Sequence, residues 1–196
     1  MRFWLGILFL SIITSLNAQF DQAKENYQFI SWEEALSAHP DTVYAIDFSK
    51  SKLDSLPSEL QRFKNLKALD LSKNKLTQLP VFFKEFKTLE LLDLFKNDFT
   101  ICPPVINLLE ELKYLSLAKN SLDYLNPGIC SLQHLTVLDL YDCMLTTLPE
   151  EFAKFNGRLT YVDLRGQTFN KQFVEKWTSL LKDVEVKFDP PCNCKN

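Results

Sequence analysis

The chain reads LKALDLSKNKLTQLPVFFKEFKT over residues 66–88, and the same pattern returns as LELLDLFKNDFTICPPVINLLEE over residues 89–111. Six units of this kind follow one another along the chain. Their first residues are Val43, Leu66, Leu89, Leu112, Leu135 and Leu159, a spacing of 23 residues four times and then 24. A fixed period of this length predicts a repeat protein in which each unit stacks on the next.

Each unit combines two apolar periodicities. Its first half, LxxLxL, alternates apolar and polar residues and predicts a strand with one buried face. Its second half places apolar residues three apart, as at Leu60 and Phe63, which predicts a short helical or 3₁₀ turn on the outside. Because one unit cannot bury its own apolar face and six stacked units can, we expect a curved solenoid.

The full unit, LxxLxLxxNxLxxLPxxLxxLxx, resembles the leucine-rich repeat in its 23-residue subclass with an LPxx[LIF] outer segment. The resemblance covers about residues 43–184. It implies an α/β fold, a right-handed solenoid with a parallel β-sheet on its concave face, and it implies a binding module. The stretch Asn17-Ala18-Gln19, followed by a short helix, also resembles the start of exported repeat proteins of Bacteroidetes-type bacteria.

The ninth position of the unit carries Asn74, Asn97 and Asn120, whose amides can bond both ways to backbone groups of adjoining turns. Ser51, Gln167 and Cys143 depart from this pattern. We interpret Cys143 as a structural substitute for asparagine, with a reactive thiol as the alternative. A second cysteine, Cys102, stands at an apolar core position and is predicted to pack there.

The first residues of the chain have the pattern of a secretory signal peptide. Arg2 precedes an apolar run over residues 3–16, which is shorter than the roughly 20 residues that span a bilayer, and Ala18 is the small residue at the cleavage point. We predict a signal peptide at residues 1–18 and export to the periplasm or the medium. An uncleaved membrane anchor is the alternative.

Both ends of the solenoid are predicted to carry helical caps. In residues 19–42, Ser31 and Glu34 form a capping box that opens a short helix to about Ser37, with Trp32, Ala35 and Leu36 on the edge of the first strand. Residues 43–183 hold the six repeats and a C-terminal cap helix. That helix starts after Asn170, and its apolar stripe is Phe173, Trp177, Leu180 and Leu181. Residues 184–196 are predicted to form a terminal strand and an irregular tail.

Composition excludes several kinds of chemistry. The net charge of -3 favours neither nucleic acid nor anionic lipid, and only 4 glycines are available for phosphate-binding loops. The 2 histidines form no recognisable catalytic or metal-binding set with the cysteines. We therefore expect no enzyme activity, no cofactor and no metal. Five cysteines leave at least one thiol unpaired or intermolecular in an exported protein, and the pairing of Cys130, Cys192 and Cys194 stays open.

Two rows of side chains are predicted on the concave face. The fifth position carries Asp47, Asp70, Asp93, Ser116, Asp139 and Asp163. The eighth position carries Lys50, Lys73, Lys96 and Lys119. We interpret this charge ladder as a solvated face in which the lysines offset the repulsion of the carboxylates, with an ion or polar ligand as the alternative.

The third and seventh positions change from small residues in the first two units to bulky ones afterwards. The bulky residues are Leu91, Phe95, Tyr114, Val137, Tyr141 and Tyr161. An exposed apolar and aromatic patch of this kind is typical of a protein interface, so we predict that these residues bind a protein partner. The alternative is that the rings only pack on one another across strands. A second hypothesis for the whole chain is a structural or envelope-associated protein that binds glycan or associates with itself.

Overall fold

The computed structural model describes residues 18–191. Residues 1–17 of the predicted signal peptide lie outside the described residues, and so do Cys192 and Cys194. Eight strands form one parallel sheet in chain order. They are β1 Ile30–Ser31, β2 Ala45–Asp47, β3 Ala68–Asp70, β4 Leu91–Asp93, β5 Tyr114–Ser116, β6 Val137–Asp139, β7 Tyr161–Asp163 and β8 Glu185–Lys187. Equivalent residues of successive units are paired, for example Ala68 with Leu91. The predicted repeat register and parallel sheet are confirmed.

The outer side of each of the first five units is a 3₁₀ helix, as the apolar spacing predicted. These helices are Ser58–Arg62, Val81–Glu85, Pro104–Leu108, Pro127–Ser131 and Glu150–Phe155, and a shorter one, Pro40–Thr42, precedes the first unit. Pro57, Pro80, Pro103 and Pro149 stand immediately before a helix, where a missing backbone N–H costs no internal hydrogen bond. The first, fourth and sixth residues of each unit and the inward side of each 3₁₀ helix together form the continuous core.

A ladder of polar side chains joins the turns between strands and outer helices. The Oδ1 atom of Asn97 accepts a hydrogen bond from the N–H of Leu76 at 3.0 Å, and its Nδ2 atom donates to the carbonyls of Leu71 at 2.9 Å and Leu94 at 3.1 Å. Asn74 and Asn120 make the equivalent contacts. The predicted role of these asparagines is confirmed: they satisfy backbone groups that are buried between units.

Gln167 and Cys143 differ in how well they replace asparagine. Gln167 accepts from the N–H of Leu145 at 3.2 Å and donates to the carbonyl of Leu140 at 2.7 Å, so its longer side chain makes both kinds of bond. The thiol of Cys143 donates to the carbonyl of Leu117 at 3.4 Å, and burial raises its pKa to about 12. These contacts support a structural role for Cys143. Cys102, Cys130 and Cys143 are free and buried.

The N-terminal cap consists of the predicted helix and a strand that the pattern did not predict. Helix α2, Trp32–Ser37, begins with the expected capping box, in which Ser31 N–H donates to Glu34 Oε2 at 2.8 Å and Glu34 N–H donates to Ser31 Oγ at 3.2 Å. The ring of Trp32 lies 5.0 Å from that of Phe48. The expectation that Leu36 packs on the first strand is wrong, because β1 pairs with that edge and Leu36 faces solvent.

The C-terminal cap is helix α3, Lys171–Leu180, followed by β8. Asn170 caps the helix, since its Oδ1 atom accepts from the N–H of Phe173 at 2.9 Å. Trp177 is buried, with its ring 5.7 Å from that of Phe152 in an edge-to-face contact. The predicted stripe is wrong only at Leu180, which is exposed because the buried face follows a spacing of four residues through Trp177 and Leu181.

A further helix, α1, spans Ala18–Lys24 and was not predicted. Its backbone lies nearest to the middle strands of the sheet, β5 and β6. Within residues 18–191, no helix combines the length and the apolar character needed to cross a membrane.

Candidate binding site on the concave face

Helix α1 lies across the concave face of the sheet. We call residues 18–29, which comprise α1 and the segment leading to β1, the strap. Phe20 and Ala23 of the strap are each 4% exposed. They belong to an apolar cluster that is separate from the main core and also contains Ala45, Ala68, Leu91, Val137 and Tyr161. The third-position row therefore packs against a segment of the same chain.

Polar contacts tie the strap to strands along most of the sheet. Lys24 forms an ion pair with Asp70, and its Nζ atom lies 2.8 Å from Oδ2 of Asp93. The hydroxyl of Tyr27 donates to Oε2 of Glu90 at 3.3 Å. At the other end, the side-chain amide of Gln19 donates to Oε2 of Glu185 in β8 at 3.2 Å. The strap thus contacts both charged and apolar side chains of the concave face.

The ion pair of Lys24 is partly shielded from water. Burial opposes the charge of Lys24, but the attraction of Asp93 and Asp70 outweighs it and raises the pKa of Lys24 above its usual value. Burial raises the pKa of Asp93, although Lys24 opposes that rise. A lysine between two carboxylates in a partly dry site is a contact that solvent screens less than a surface ion pair.

The interpretation of the aspartate row as a solvated face is wrong for four of its five aspartates, since only Asp47 is exposed. Asp70, Asp93, Asp139 and Asp163 are all buried. Each one accepts a hydrogen bond from the backbone N–H two residues later, as in the 2.9 Å contact of Phe95 N–H with Asp93 Oδ1. This contact stabilises the turn after the strand. Lys24 and Arg165, rather than the eighth-position lysines, provide the cations that contact the row.

Asp139 occupies a different electrostatic environment from Asp93. Its Oδ2 atom accepts from the hydroxyl of Ser116 at 3.1 Å and its Oδ1 atom from the N–H of Tyr141 at 3.0 Å. Burial, together with the charge of Asp163, outweighs these bonds and raises the pKa of Asp139 to about 7. The carboxyl of Asp139 therefore titrates near neutral pH.

Cations and aromatic rings alternate along the seventh and eighth positions. The Nζ atom of Lys73 lies 5.7 Å from the centroid of the Phe95 ring, and that of Lys119 lies 6.0 Å from the same ring. Lys119 and Arg165 flank the Tyr141 ring at 5.6 and 5.8 Å. We call these five residues the cation–aromatic ladder. Both rings are half-buried, and both lysines are exposed.

The structure divides the six predicted partner-binding residues into two groups. Phe95, Tyr114 and Tyr141 are half-buried. Leu91, Val137 and Tyr161 are 0%, 4% and 9% exposed, so the expectation that they form part of an exposed patch is wrong. The physical reason is the strap, which covers the third-position row. Phe20, Ala23 and Lys24 have the spacing of one helix face, and this was the available sequence signal for the strap.

Two further features of the surface bear on function. In the part of the chain that the structure describes, no group of three or more His, Cys, Asp or Glu side chains is placed to hold a metal ion.

On the outer side, a groove of about 580 Å³ is bordered by Val81, Ile101 and Leu108, which are 72%, 55% and 48% exposed. Exposed apolar side chains around a groove are a candidate contact surface.

Comparison with known proteins places this geometry in a class. The family profile described as Leucine Rich Repeat matches residues 65–86 and 134–155. A leucine-rich-repeat protein of Leptospira interrogans has a solved structure that is similar with 27% identity and a TM-score of 0.63, over 85% of this chain and 49% of that one. The comparison with curated proteins gave no match.

A plant receptor is similar over a shorter part of its own length. The leucine-rich-repeat ectodomain of the membrane receptor kinase GASSHO1/SCHENGEN3 from Arabidopsis thaliana was solved in complex with Casparian strip integrity factor 2. It matches with 27% identity and a TM-score of 0.61, over 77% of this chain and 18% of that one. The chain thus spans about half the length of the Leptospira protein and under a fifth of the plant ectodomain.

The stacked strands, the outer 3₁₀ helices and the asparagine ladder define a solenoid of 23-residue units. The chain is a leucine-rich-repeat protein. Proteins of this class are generally non-catalytic modules that bind other proteins.

Proposed function

We propose that the protein is an exported, non-catalytic module that binds a protein partner through its concave face. The observation that carries this proposal is the cation–aromatic ladder, in which the half-buried rings of Phe95 and Tyr141 lie between Lys73, Lys119 and Arg165. Tyrosine and arginine are enriched at protein interfaces because tyrosine combines a large apolar ring with a polar hydroxyl, and arginine combines a planar guanidinium with several hydrogen-bond donors. Tyr114, next to the strap, extends this surface.

The comparisons support a polypeptide as the partner. The similar Arabidopsis ectodomain was solved in complex with Casparian strip integrity factor 2. In our proposal the concave face of the present chain holds a polypeptide, and it needs neither a metal nor a cofactor. The ladder would bind by stacking and by charge, which requires no chemical step.

The test is the affinity of ring-truncated variants for a partner obtained by cross-linked affinity capture and identified by mass spectrometry. Phe95→Ala and Tyr141→Ala are expected to weaken binding about thirtyfold, since truncating a central anchor costs about 2 kcal/mol or more. Tyr124→Ala, at an exposed ring outside the ladder, is the matched control. Normal affinity in both ladder variants, with unchanged melting curves, would place the interface elsewhere.

Export is a separate part of the proposal, and it rests on the signal-peptide pattern of residues 1–18. Cleavage after Ala18 would leave Gln19, the residue that contacts Glu185, at the start of the mature protein. Mass mapping of the N-terminus of protein recovered from the periplasm or the medium is expected to show Gln19. Recovery of intact Met1 would contradict the cleavage.

A second candidate function is a structural, envelope-associated role through self-association. It is favoured by the exposed apolar groove around Val81, Ile101 and Leu108. Sedimentation of the wild-type protein is then expected to show a concentration-dependent dimer that Val81→Asp abolishes. A monomer at every concentration would remove this candidate.

A further inference from the structure

We propose that the strap is a self-ligand: it occupies the partner site in the resting protein, and a partner displaces it with a helical segment of the same chemistry. That segment would present an aromatic residue and, four positions later, a lysine or arginine, as Phe20 and Lys24 do. The inference rests on the proposed function only in assigning the partner to the concave face.

Charge complementarity is the first observation that supports a basic occupant. Asp70 and Asp93 lie on adjacent strands, and both contact Lys24. Asp139 lies further along the same row, where its partners are a hydroxyl and a backbone N–H. Burying the charged carboxylates of Asp70 and Asp93 is costly unless a cation compensates them, so a positive charge stabilises a segment that covers these two residues.

Apolar complementarity supports a helical occupant. The small third-position residues Ala45 and Ala68 leave space on the early strands, and the bulkier Leu91, Val137 and Tyr161 follow. Phe20 and Ala23 are buried in this cluster, while Asp21, Gln22, Glu25 and Asn26 face solvent. Phe20 and Lys24 are four residues apart and therefore lie on the same side of α1.

The strap is built to be displaced without unfolding the solenoid. Helix α1 has 7 residues, well below the roughly 12–15 that an isolated helix needs to be even marginally stable, so it is helical because it is docked. Its apolar contacts belong to the small cluster on the concave face, whereas the main core lies between the sheet and the outer helices. Losing the strap would expose the concave cluster and leave the main core covered.

Tethering explains why the strap occupies the site by default. A segment joined to the sheet through Gln28 and Phe29 has an effective concentration in the millimolar range at its own site. A free peptide of equal affinity therefore competes poorly with it. A productive partner must add contacts outside the strap, and the cation–aromatic ladder provides them.

The experiment uses the full chain and a fluorescent synthetic peptide of residues 18–29, AQFDQAKENYQF. A release variant carries Phe20→Ser and Lys24→Glu, which remove one buried ring and reverse the charge that faces Asp70 and Asp93. The matched control carries Gln22→Ser and Glu25→Lys on the exposed side of α1. The single variant Lys24→Gln should weaken the docking of the strap less, because it removes the charge but keeps the buried ring of Phe20.

Fluorescence anisotropy is expected to show that the release variant binds the peptide at least tenfold more tightly than wild type or control. A peptide that carries Lys24→Glu should lose that binding. Hydrogen exchange should show at least tenfold faster exchange of strap amides in the release variant, with the amides of β3–β7 still protected. Lys24→Gln should shift both measurements in the same direction.

Three results would overturn the self-ligand. They are equal peptide binding by all the proteins, undiminished protection of the strap amides in the release variants, and equal binding of the charge-reversed peptide. The test uses no external partner, so it fails independently of the proposed function. If the release variant binds the peptide as expected while Phe95→Ala and Tyr141→Ala bind the partner normally, the strap is a self-ligand but the cation–aromatic ladder is not the partner site.

Discussion

The Nζ atom of Lys24 lies 2.8 Å from the Oδ2 atom of Asp93, although the two residues are 69 positions apart in the chain. This contact, with the one to Asp70, holds the strap against the centre of the sheet. The side chain of Asp93 is 7% exposed and that of Lys24 is 23% exposed. Because both partners are largely shielded from water, the contact should influence stability more than a surface ion pair does.

We predict a measurable coupling energy between these two residues. A double-mutant cycle with Lys24→Ala and Asp93→Asn should give about 0.5–3 kcal/mol in urea unfolding, which is the range for contacting residues. Any weakening of the hydrogen bond from Phe95 N–H to Asp93 cancels, because Asp93→Asn is present on both sides of the cycle. The exposed pair Lys171 and Glu175, at 3.6 Å, is the control and should give a coupling near zero. Equal coupling in both cycles would show that the strap is not docked through Lys24.

The raised pKa of Asp139 predicts that stability falls as pH rises. Because the pKa is about 7 in the folded protein and 3.8 as a reference for the unfolded chain, the folded protein retains a proton that the unfolded chain releases. The contribution is fully present below about pH 4 and is lost as the pH rises through 7.

Asp139→Asn removes this titration. Its free energy of unfolding relative to wild type should therefore rise by about 1–3 kcal/mol between pH 4.5 and pH 8. Urea melts at the two pH values measure this change. Asp123→Asn, at an exposed aspartate, is the control and should show little change. A difference between Asp139→Asn and wild type that does not depend on pH would contradict the buried placement of this carboxyl.

Substitutions in the core test the repeat register. Leu94 and Leu117 are fully buried at equivalent positions of neighbouring units, so replacing either with alanine should cost about 2–5 kcal/mol. Lys84→Ala, on an exposed 3₁₀ helix, is the surface control. Losses no larger than that of Lys84→Ala would reject the register.

The C-terminal cap offers a matched pair on one helix. Trp177→Ala should destabilise the protein by about 3–5 kcal/mol, since it removes a buried ring that packs on Phe152 and Phe173. Leu180→Ala should cost less than about 1 kcal/mol, because Leu180 faces solvent. Thermal melts of both variants check the prediction, and similar losses would mean that α3 is rotated from the orientation described.

The repeat could be predicted from the sequence because the contacts that define it are periodic. Each strand pairs with the equivalent strand of the next unit, and each asparagine at the ninth position bonds to the backbone of the neighbouring unit. A contact that recurs every 23 residues leaves a pattern that recurs every 23 residues. Gln167 departs from the pattern in residue type, yet its amide makes the same bonds, which residue type alone did not reveal.

The sequence by itself determined the strands, the outer turns, the buried leucines and the side of the sheet on which Leu91, Val137 and Tyr161 lie. Only the tertiary structure decided that the strap covers these three residues and that Asp70 and Asp93 are buried. The physical reason is that the strap contacts the sheet once and not periodically. The exposure of a residue depends on every segment that packs against it. The contact between Lys24 and Asp93 occurs once, so no repeated sequence pattern predicts it.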